Sequence, residues 1–220
     1  MIDWEQIDTV LLDMDGTLLD LHFDNYFWQE YLPRYWGEVH SQDIETAKNT
    51  IMPRLKAMEG QLSWYCLDYW SRELDINILE IKNGIIDLIT VRPTALEFLQ
   101  SLDAIGKRPV MVTNAHQDLI ELKLQRTGIG RYFDDIVCSH DLGVAKEELE
   151  FWSLLDQKSP YSGESTLLID DNLHVLRTAR EYGIGHLYSI ARPDSRAPER
   201  DTQEFVPITD FSELLPETIS

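Results

Sequence analysis

The sequence predicts an α/β fold with a Rossmann-type core, in which a doubly wound parallel sheet carries a small helical cap inserted after the first strand. Short apolar runs, such as residues 10–12 and 166–169, are typical of strands buried on both faces of a parallel sheet. From Pro93 onward these runs alternate with helix-like segments, which implies right-handed crossovers between parallel strands. Residues 20–90 differ, because they are rich in helix formers and aromatic residues.

The predicted elements follow in order along the chain. We predict strands at residues 10–12, 108–113, 136–138, 166–170 and 187–190. We predict helices at residues 24–36, from Asp43, and at residues 64–74, 78–89, 93–102, 117–127, 147–157 and 173–182, with Gly106 and Gly128 ending two of them. The charged, proline-containing tail at residues 192–207 is predicted to be a surface loop. Residues 1–19 and 91–220 then form the core, and residues 20–90 form the cap.

Length and composition narrow the class of protein. With 220 residues, of which 43% are hydrophobic and 26% charged, the chain suits one globular domain plus an insertion. Its 39 acidic and 19 basic residues give a net charge of −20, which disfavours nucleic acid as a partner, although solubility alone also explains the acidity. No signal peptide or membrane span is recognisable, so we expect a cytoplasmic protein without a membrane or protein partner. Cys66 and Cys138 are expected to be reduced thiols.

The first predicted strand ends in Asp13 and Asp15, followed by Gly16. Side chains two residues apart in a strand point the same way, so both carboxylates should project together from its carboxyl end. Gly16 permits the turn that follows, because glycine adopts backbone angles that other residues avoid. Ligands of open α/β sheets bind at this edge. Taken alone, the pair would be interpreted as an acidic turn at the end of a strand.

Further polar groups follow the later strands. Thr113 ends the second strand, and its hydroxyl is suited to bind a phosphoryl oxygen. Lys146 supplies one ammonium to an otherwise acidic site, and Asp170 and Asp171 follow a buried strand. Together with the first two aspartates, this acidic pair predicts an oxygen-rich site for a hard cation, with Mg²⁺ favoured. Taken singly, the acidic pair is also suited to cap the next helix, and Lys146 is also suited to a solvated surface position.

These residues, in this order, resemble the four motifs of the haloacid dehalogenase (HAD) superfamily of aspartate-nucleophile phosphatases. The motifs correspond to residues 13–17, Thr113, Lys146, and the pair Asp170 and Asp171. The resemblance spans essentially the whole chain. Residues 20–28, 64–70, 113–116 and 169–172 also resemble the bacterial purine 5′-nucleotidases of this superfamily, which act on GMP and IMP.

The resemblance implies a role for each motif residue. Asp13 would attack phosphorus and become a phosphoaspartate. Asp15 would protonate the leaving oxygen and then deprotonate water, with its backbone carbonyl on the metal. Thr113 and Lys146 would stabilise the phosphoryl oxygens. The metal ligands would be Asp13, Asp15 and Asp171 directly, and Asp170 through water.

The expected substrate is a purine nucleoside 5′-monophosphate. Asn114, Asp24 and Asn25 are the candidate substrate-binding residues, although Asp24 and Asn25 are also suited to cap a helix. The dense aromatic residues of the cap are expected mostly to form its core, with one or two facing the cleft. Alternative functions are a phosphatase of sugar phosphates, phosphoglycolate or another small ester, a phosphomutase, and a catalytically idle binding protein of the same fold.

Overall fold

The computed structural model of the protein describes residues 2–216. Its core is a six-stranded sheet in which all paired strands are parallel. The strands are β1 (Thr9–Leu12), β2 (Arg108–Thr113), β3 (Asp135–Cys138), β4 (Thr166–Asp170), β5 (His186–Ile190) and β6 (Val206–Ile208), in the spatial order β3-β2-β1-β4-β5-β6. The predicted fold class is confirmed. The strand order reverses beside β1, where open α/β sheets bind their ligands.

The central strands are buried because helices cover both faces of the sheet. Every residue of β1 and β4 is buried, which explains why these strands are continuous apolar runs rather than alternating ones. In β1, Val10 and Leu12 pack into the cluster that also contains the cap residues Phe23 and Trp70. Leu11 packs into a second cluster on the opposite face.

Helices fill the segment between β1 and β2. They are α1 (His22–Tyr26), a π-helical stretch (Phe27–Tyr31), α2 (Leu32–Val39), α3 (Ile44–Met58), α4 (Leu62–Tyr65), α5 (Leu67–Leu74), α6 (Ile78–Asn83) and a 3₁₀ turn (Ile86–Leu88). Asp43 begins α3, since its side chain accepts a hydrogen bond from the Thr46 amide at 2.9 Å. The helix predicted at residues 64–74 is instead two helices. Cys66 is extended between them, and its sulfur accepts from the Tyr69 amide.

The helices of the core follow the predicted alternation with small shifts. They are α7 (Ala95–Ala104), α8 (Gln117–Thr127), α9 (Ser139–Leu142), α10 (Leu149–Lys158) and α11 (Leu173–Tyr182). Gly128 ends α8 in the left-handed conformation at φ +69°, as its position in the sequence predicts. The short helix α9 was not predicted, because four residues carry too little periodicity to be read from sequence.

The end of the tail corrects a prediction. Residues 192–207 were expected to be a loop, but Val206 and Pro207 belong to β6, which pairs with β5 at the edge of the sheet. A three-residue strand with a central proline has no alternating pattern, and proline is tolerated because the edge needs no further donor. Within residues 2–216, no helix has both the length and the apolar character needed to cross a membrane.

Candidate active site

The carboxyl ends of β1, β2 and β4 meet at one edge of the sheet and open into a cavity of about 540 Å³. A volume of this size is typical of small-molecule sites. All the predicted site residues line this cavity: Asp13, Asp15, Asp24, Asn25, Thr113, Asn114, Lys146, Asp170 and Asp171. Residues from distant parts of the chain meet here because parallel strands share one carboxyl edge.

Lys146 binds two aspartates at the centre of this edge. Its ammonium donates to Asp13 Oδ1 at 2.6 Å, to Asp170 Oδ2 at 2.7 Å and to the Val112 carbonyl at 3.2 Å. These three bonds use every proton of the ammonium. Lys146 is only 2% exposed, so a solvated surface position is ruled out. We call Asp13, Lys146, Asp170 and the adjacent Asp171 the Lys146 cluster.

The Lys146 cluster holds more negative than positive charge. Burial raises the pKa of Asp13 to about 6, with Asp170 adding to the effect and Lys146 opposing it. Burial, followed by the nearby charges of Asp13 and Asp170, raises the pKa of Asp171 well above its ordinary value. Three carboxyl groups face one ammonium, so the cluster is suited to take up a further cation.

Three carboxylates of the Lys146 cluster lie close enough together to hold a metal ion. Carboxylate oxygens of Asp13, Asp170 and Asp171 lie within 4.8 Å of one another. Asp13 Oδ2 is buried and has no hydrogen-bond partner among the described residues, so the site is incomplete without a bound group. Carboxylate oxygens are the ligands that Mg²⁺ prefers. The donor set therefore fits the predicted ion.

The two neighbouring aspartates differ in how their oxygens are used. Asp170 accepts from Lys146 and, at 2.8 Å, from the Asn172 amide, so both of its oxygens have protein partners. Among the residues that the structure describes, Asp171 has one positively charged partner, the Arg200 guanidinium at 3.6 Å, and its side chain accepts no hydrogen bond. The predicted helix cap is also corrected, because Asn172 caps α11 by accepting from the His174 amide. Asp171 is thus the freer of the two carboxylates.

Gly16 brings the turn after β1 close to this pair. Its φ of +85° lies in the left-handed region that glycine favours. A Cβ atom at this position would lie 2.8 Å from Asp171 Cγ and 3.2 Å from Pro193 Cβ. Both the backbone angle and the space therefore require glycine.

The loop after β2 is fixed by a network around Glu147. Asn114 accepts from the Lys146 amide at 3.0 Å and donates to Glu147 at 2.8 Å. The hydroxyl of Tyr65, on α4, and the amide of Asn172 donate to the other carboxylate oxygen at 2.6 and 3.1 Å. Asn114 thus uses its side-chain amide to hold the loop, and its predicted contact with substrate remains a prediction.

Asp15 belongs to a second set of buried charges. Lys123, on α8, donates to Asp15 Oδ1 at 2.6 Å and to Asp24 Oδ2 at 2.7 Å. Lys82, on α6, donates to Asp24 Oδ1 at 2.6 Å. We call these four residues the Lys123 cluster. Both oxygens of Asp24 accept from lysines, and the predicted contact of Asp24 with base or ribose remains a prediction.

Asn25 and the tail lie at the mouth of the cavity. The Asn25 amide donates to Asp194 at 2.9 Å, which ties α1 to the tail. Arg200, also in the tail, lines the cavity beside Asp171. The predicted contact of Asn25 with substrate remains a prediction.

Aromatic side chains form part of the cavity wall. Trp28 and Trp64 line the cavity and are half-buried. Both pack against the buried Trp70, with ring centroids 6.1 and 6.5 Å away. Phe27 is fully buried. Most aromatic residues of this segment therefore pack in the hydrophobic core, while three of them, Trp28, Trp64 and Tyr65, line the cavity, one more than the sequence predicted.

Sequence analysis missed Lys82 and Lys123, although a signal existed. Lys123 falls on the same face of α8 as the buried Leu119 and Ile120, and Lys82 follows Ile78 and Ile81 on α6. A lysine on an apolar helix face indicates either a long side chain that reaches solvent or a buried ion pair. The partner is not readable from the helix itself, because it comes from another part of the chain.

A parallel sheet with an aspartate–lysine cluster in a cavity at its carboxyl edge has the arrangement of an α/β enzyme. The comparison with known families agrees. The model of the haloacid dehalogenase-like hydrolases matches residues 7–183. The chain therefore belongs to the haloacid dehalogenase-like hydrolase family, and the predicted family is confirmed.

Individual relatives extend over most of the chain. The GMP/IMP nucleotidase YrfG of Escherichia coli is 36% identical over 215 residues, which cover 98% of this chain and 97% of that protein. The glyceraldehyde 3-phosphate phosphatase of Methanocaldococcus jannaschii is 26% identical over 188 residues, covering 81% of this chain and 82% of its own. An HAD phosphatase structure from Thermococcus onnurineus has a TM-score of 0.78 at 18% identity, covering 94% and 96% of the two chains, and shows the shared fold.

Proposed function

We propose that the protein is a magnesium-dependent phosphatase that hydrolyses purine nucleoside 5′-monophosphates, GMP and IMP, to nucleoside and phosphate. The observation that carries this proposal is the free, buried Oδ2 of Asp13 at the edge of the cavity. The oxygen is held beside an ammonium, in a site with an excess of negative charge. Such an atom is suited to attack the phosphorus of a substrate that arrives with its metal.

The first step transfers the phosphoryl group to Asp13. Asp13 Oδ2 forms a bond to phosphorus while the bond from phosphorus to O5′ breaks, and Asp15 gives its proton to O5′. Burial raises the pKa of Asp15 to about 6, which favours a group that alternates between donor and acceptor near neutral pH. Thr113, which lines the cavity, and Lys146 stabilise charge on the phosphoryl oxygens.

The second step releases phosphate. Water attacks the phosphoaspartate and gives its proton to Asp15, and the bond between phosphorus and Asp13 breaks. Asp13 and Asp171, with the backbone carbonyl of Asp15, would hold Mg²⁺ directly, and Asp170 through water. When bound, the ion supplies positive charge next to the nucleophile and the transferring oxygens. The greater freedom of the Asp171 carboxylate supports this division.

The choice of purine rests on the cavity wall and on the relative that shares 36% identity. Trp28 and Trp64 offer aromatic surface, on which a purine stacks with more area than a pyrimidine. Glu59 also lines the cavity, and its carboxylate is suited to accept the N1–H that guanine and hypoxanthine share and adenine lacks. These groups favour a nucleotide over a sugar phosphate.

A substrate panel tests the proposal. After EDTA treatment and addition of Mg²⁺, kcat/KM is measured for GMP, IMP, AMP, CMP, UMP and several sugar phosphates. We expect the highest values for GMP and IMP. If a sugar phosphate exceeds every nucleotide, the nucleotidase proposal fails while the phosphatase proposal stands. If Mg²⁺ restores no turnover of any nucleotide, sugar phosphate or p-nitrophenyl phosphate, a catalytically idle binding protein becomes the better assignment.

A further inference from the structure

Four charged side chains form a continuous chain of hydrogen bonds from the cap segment to the active site. Their order is Lys82, Asp24, Lys123 and Asp15, and the three contacts measure 2.6, 2.7 and 2.6 Å. The charges alternate in sign, and they cancel when both aspartates are ionised. The side chains of Lys82 and Lys123 are 0% and 1% exposed, so both ammonium groups are removed from water.

This chain connects separate parts of the fold. Lys82 on α6 and Asp24 on α1 belong to the segment between β1 and β2, while Lys123 belongs to α8 of the core. Aromatic rings surround the ammonium groups. The Nζ atom of Lys82 lies 4.2 Å from the ring centroid of Phe27, and that of Lys123 lies 5.2 Å from the ring centroid of Phe23. Both ammonium groups of the network are therefore packed against aromatic rings.

Stability alone does not account for this arrangement. Burying ion pairs carries a large desolvation penalty, and well-packed apolar residues are often as stable or more stable. What the network does provide is a fixed orientation. Lys123 holds Asp15 Oδ1, and Oδ2 has no hydrogen-bond partner among the described residues although Asp15 lines the cavity. One oxygen of Asp15 is thus anchored and the other is left for the substrate.

We propose that Lys123 is a positioning residue for Asp15, and that Asp24 and Lys82 hold Lys123 in place from the cap side. The position of the helices α1 and α6 is thereby coupled to the direction of the Asp15 carboxyl group. This inference rests on the proposed function, since it assigns a task to the acid of the first step. In that step the proton leaves Asp15 Oδ2 for the departing oxygen while the bond between phosphorus and Asp13 forms. Lys123 touches neither reacting atom.

The dependence of the rate on the leaving group tests this assignment. p-Nitrophenolate is a weak base and leaves without a proton, whereas phenolate is a stronger base and depends on the acid. We compare kcat/KM, which reports the steps up to phosphoryl transfer, for p-nitrophenyl phosphate and phenyl phosphate. For Lys123→Met we expect about a 30-fold loss with phenyl phosphate and less than about a 3-fold loss with p-nitrophenyl phosphate, since misplacing a catalytic group removes most of its contribution.

Two further variants complete the comparison. Arg126→Met is the matched control, because Arg126 is on the same helix and makes an exposed ion pair with Asp87 at 2.9 Å. It should leave both rates unchanged. Lys123→Arg retains a donor for Asp15 and should recover part of the phenyl phosphate activity. If Lys123→Met does not fold, Lys82→Met provides the same comparison from the outer end of the network, with a loss of about 5-fold expected for phenyl phosphate alone.

The outcomes separate this inference from the proposed function. An equal loss with both esters, or no loss with either, overturns the positioning role and leaves Lys123 a structural residue. Absence of turnover in the wild-type protein with both esters contradicts the proposed function itself. Because neither ester contains a nucleobase, a failure of the purine preference does not affect the result.

Discussion

The Lys146 cluster contains Asp13 and the Lys123 cluster contains Asp15, and the two clusters differ in their balance of charge. The Lys146 cluster sets three carboxyl groups against one ammonium, whereas the Lys123 cluster pairs two carboxyl groups with two ammonium groups. The pKa values follow this difference. Burial and neighbouring aspartates raise the pKa of Asp171, while Lys123 and Lys82 outweigh burial and lower the pKa of Asp24.

The contrast indicates two kinds of buried charge. An unbalanced cluster is poorly stabilised by the protein alone, and its excess charge is satisfied only when a cation or substrate binds. A balanced cluster is satisfied within the fold and fixes geometry instead. The same turn carries one aspartate into each environment. Each cluster is therefore expected to respond differently when a charge is removed.

The largest effect is expected from removing the nucleophile in the Lys146 cluster. Asp13→Asn keeps the size of the side chain but loses the attacking charge, so kcat should fall by at least about 10⁴-fold. Circular dichroism should remain that of the wild-type protein. Turnover within about 10-fold of wild type would contradict the phosphoaspartate mechanism. The Lys146 cluster would then have no catalytic role to set against the Lys123 cluster.

Removing a charge from the Lys123 cluster should instead affect stability. Asp24→Asn leaves two buried ammonium groups with one carboxylate, and breaking a buried pair in this way costs about 3 kcal/mol. Denaturant unfolding measures this free energy. Arg126→Met, which breaks only an exposed ion pair, should change it by less than about 0.5 kcal/mol. If Asp24→Asn leaves the free energy of unfolding unchanged, the ion pairs of the Lys123 cluster do not contribute to stability.

The two clusters also differ in how far the sequence predicted them. Asp13, Lys146 and Asp170 follow strands or the loops beyond them, and parallel topology alone brings such positions to one edge. The Lys123 cluster depends on how α6 and α8 are rotated against α1. Two lysines on apolar helix faces are visible in the sequence, but their shared partner Asp24 is set by tertiary packing. Its sequence position suggested helix capping or a substrate contact instead.

The fold shows the same division. Long apolar strands and the helix ended by Gly128 were predicted to within a residue or two, because burial and left-handed caps leave local signals. The break at Cys66 and the edge strand β6 were not. An extended residue between two short helices and a three-residue strand are both decided by contacts far along the chain.

Within the Lys146 cluster, the two neighbouring aspartates are expected to differ in magnesium binding. Asp171→Ala removes the carboxylate with the freer oxygens and should raise the Mg²⁺ concentration for half-maximal activity by about 30-fold, as loss of a direct ligand does. Asp170→Ala removes a partner of Lys146 and should raise it by about 5-fold. Titration with Mg²⁺ after EDTA treatment gives both values. Equal shifts would show that our distinction between direct and water-mediated binding is wrong.

The smallest expected effect is a pH-dependent gain in the stability of Asp13→Asn relative to the wild-type protein. In the folded, metal-free protein burial raises the pKa of Asp13 from 3.8 to about 6. The folded state therefore holds this proton more tightly than the unfolded state, and the contribution of Asp13 to stability falls as pH rises through this range. Asparagine does not ionise, so the stability of Asp13→Asn does not fall in this way as the pH rises. In EDTA its free energy of unfolding, relative to wild type, should increase by about 1 kcal/mol between pH 5 and pH 8.

The opposite pH trend would mean that Lys146, and not burial, controls the ionisation of Asp13. Addition of Mg²⁺ provides the matching control at pH 8. A cation that binds the folded protein and satisfies the excess carboxylates should raise the Tm of the wild type more than that of Asp13→Asn, because the variant has one ligand fewer. The Lys123 cluster has no excess carboxylate for Mg²⁺ to satisfy. Addition of Mg²⁺ should therefore raise the Tm of Lys82→Met as much as that of the wild type. The two buried clusters would then be distinguished by stability measurements alone, without any assay of activity.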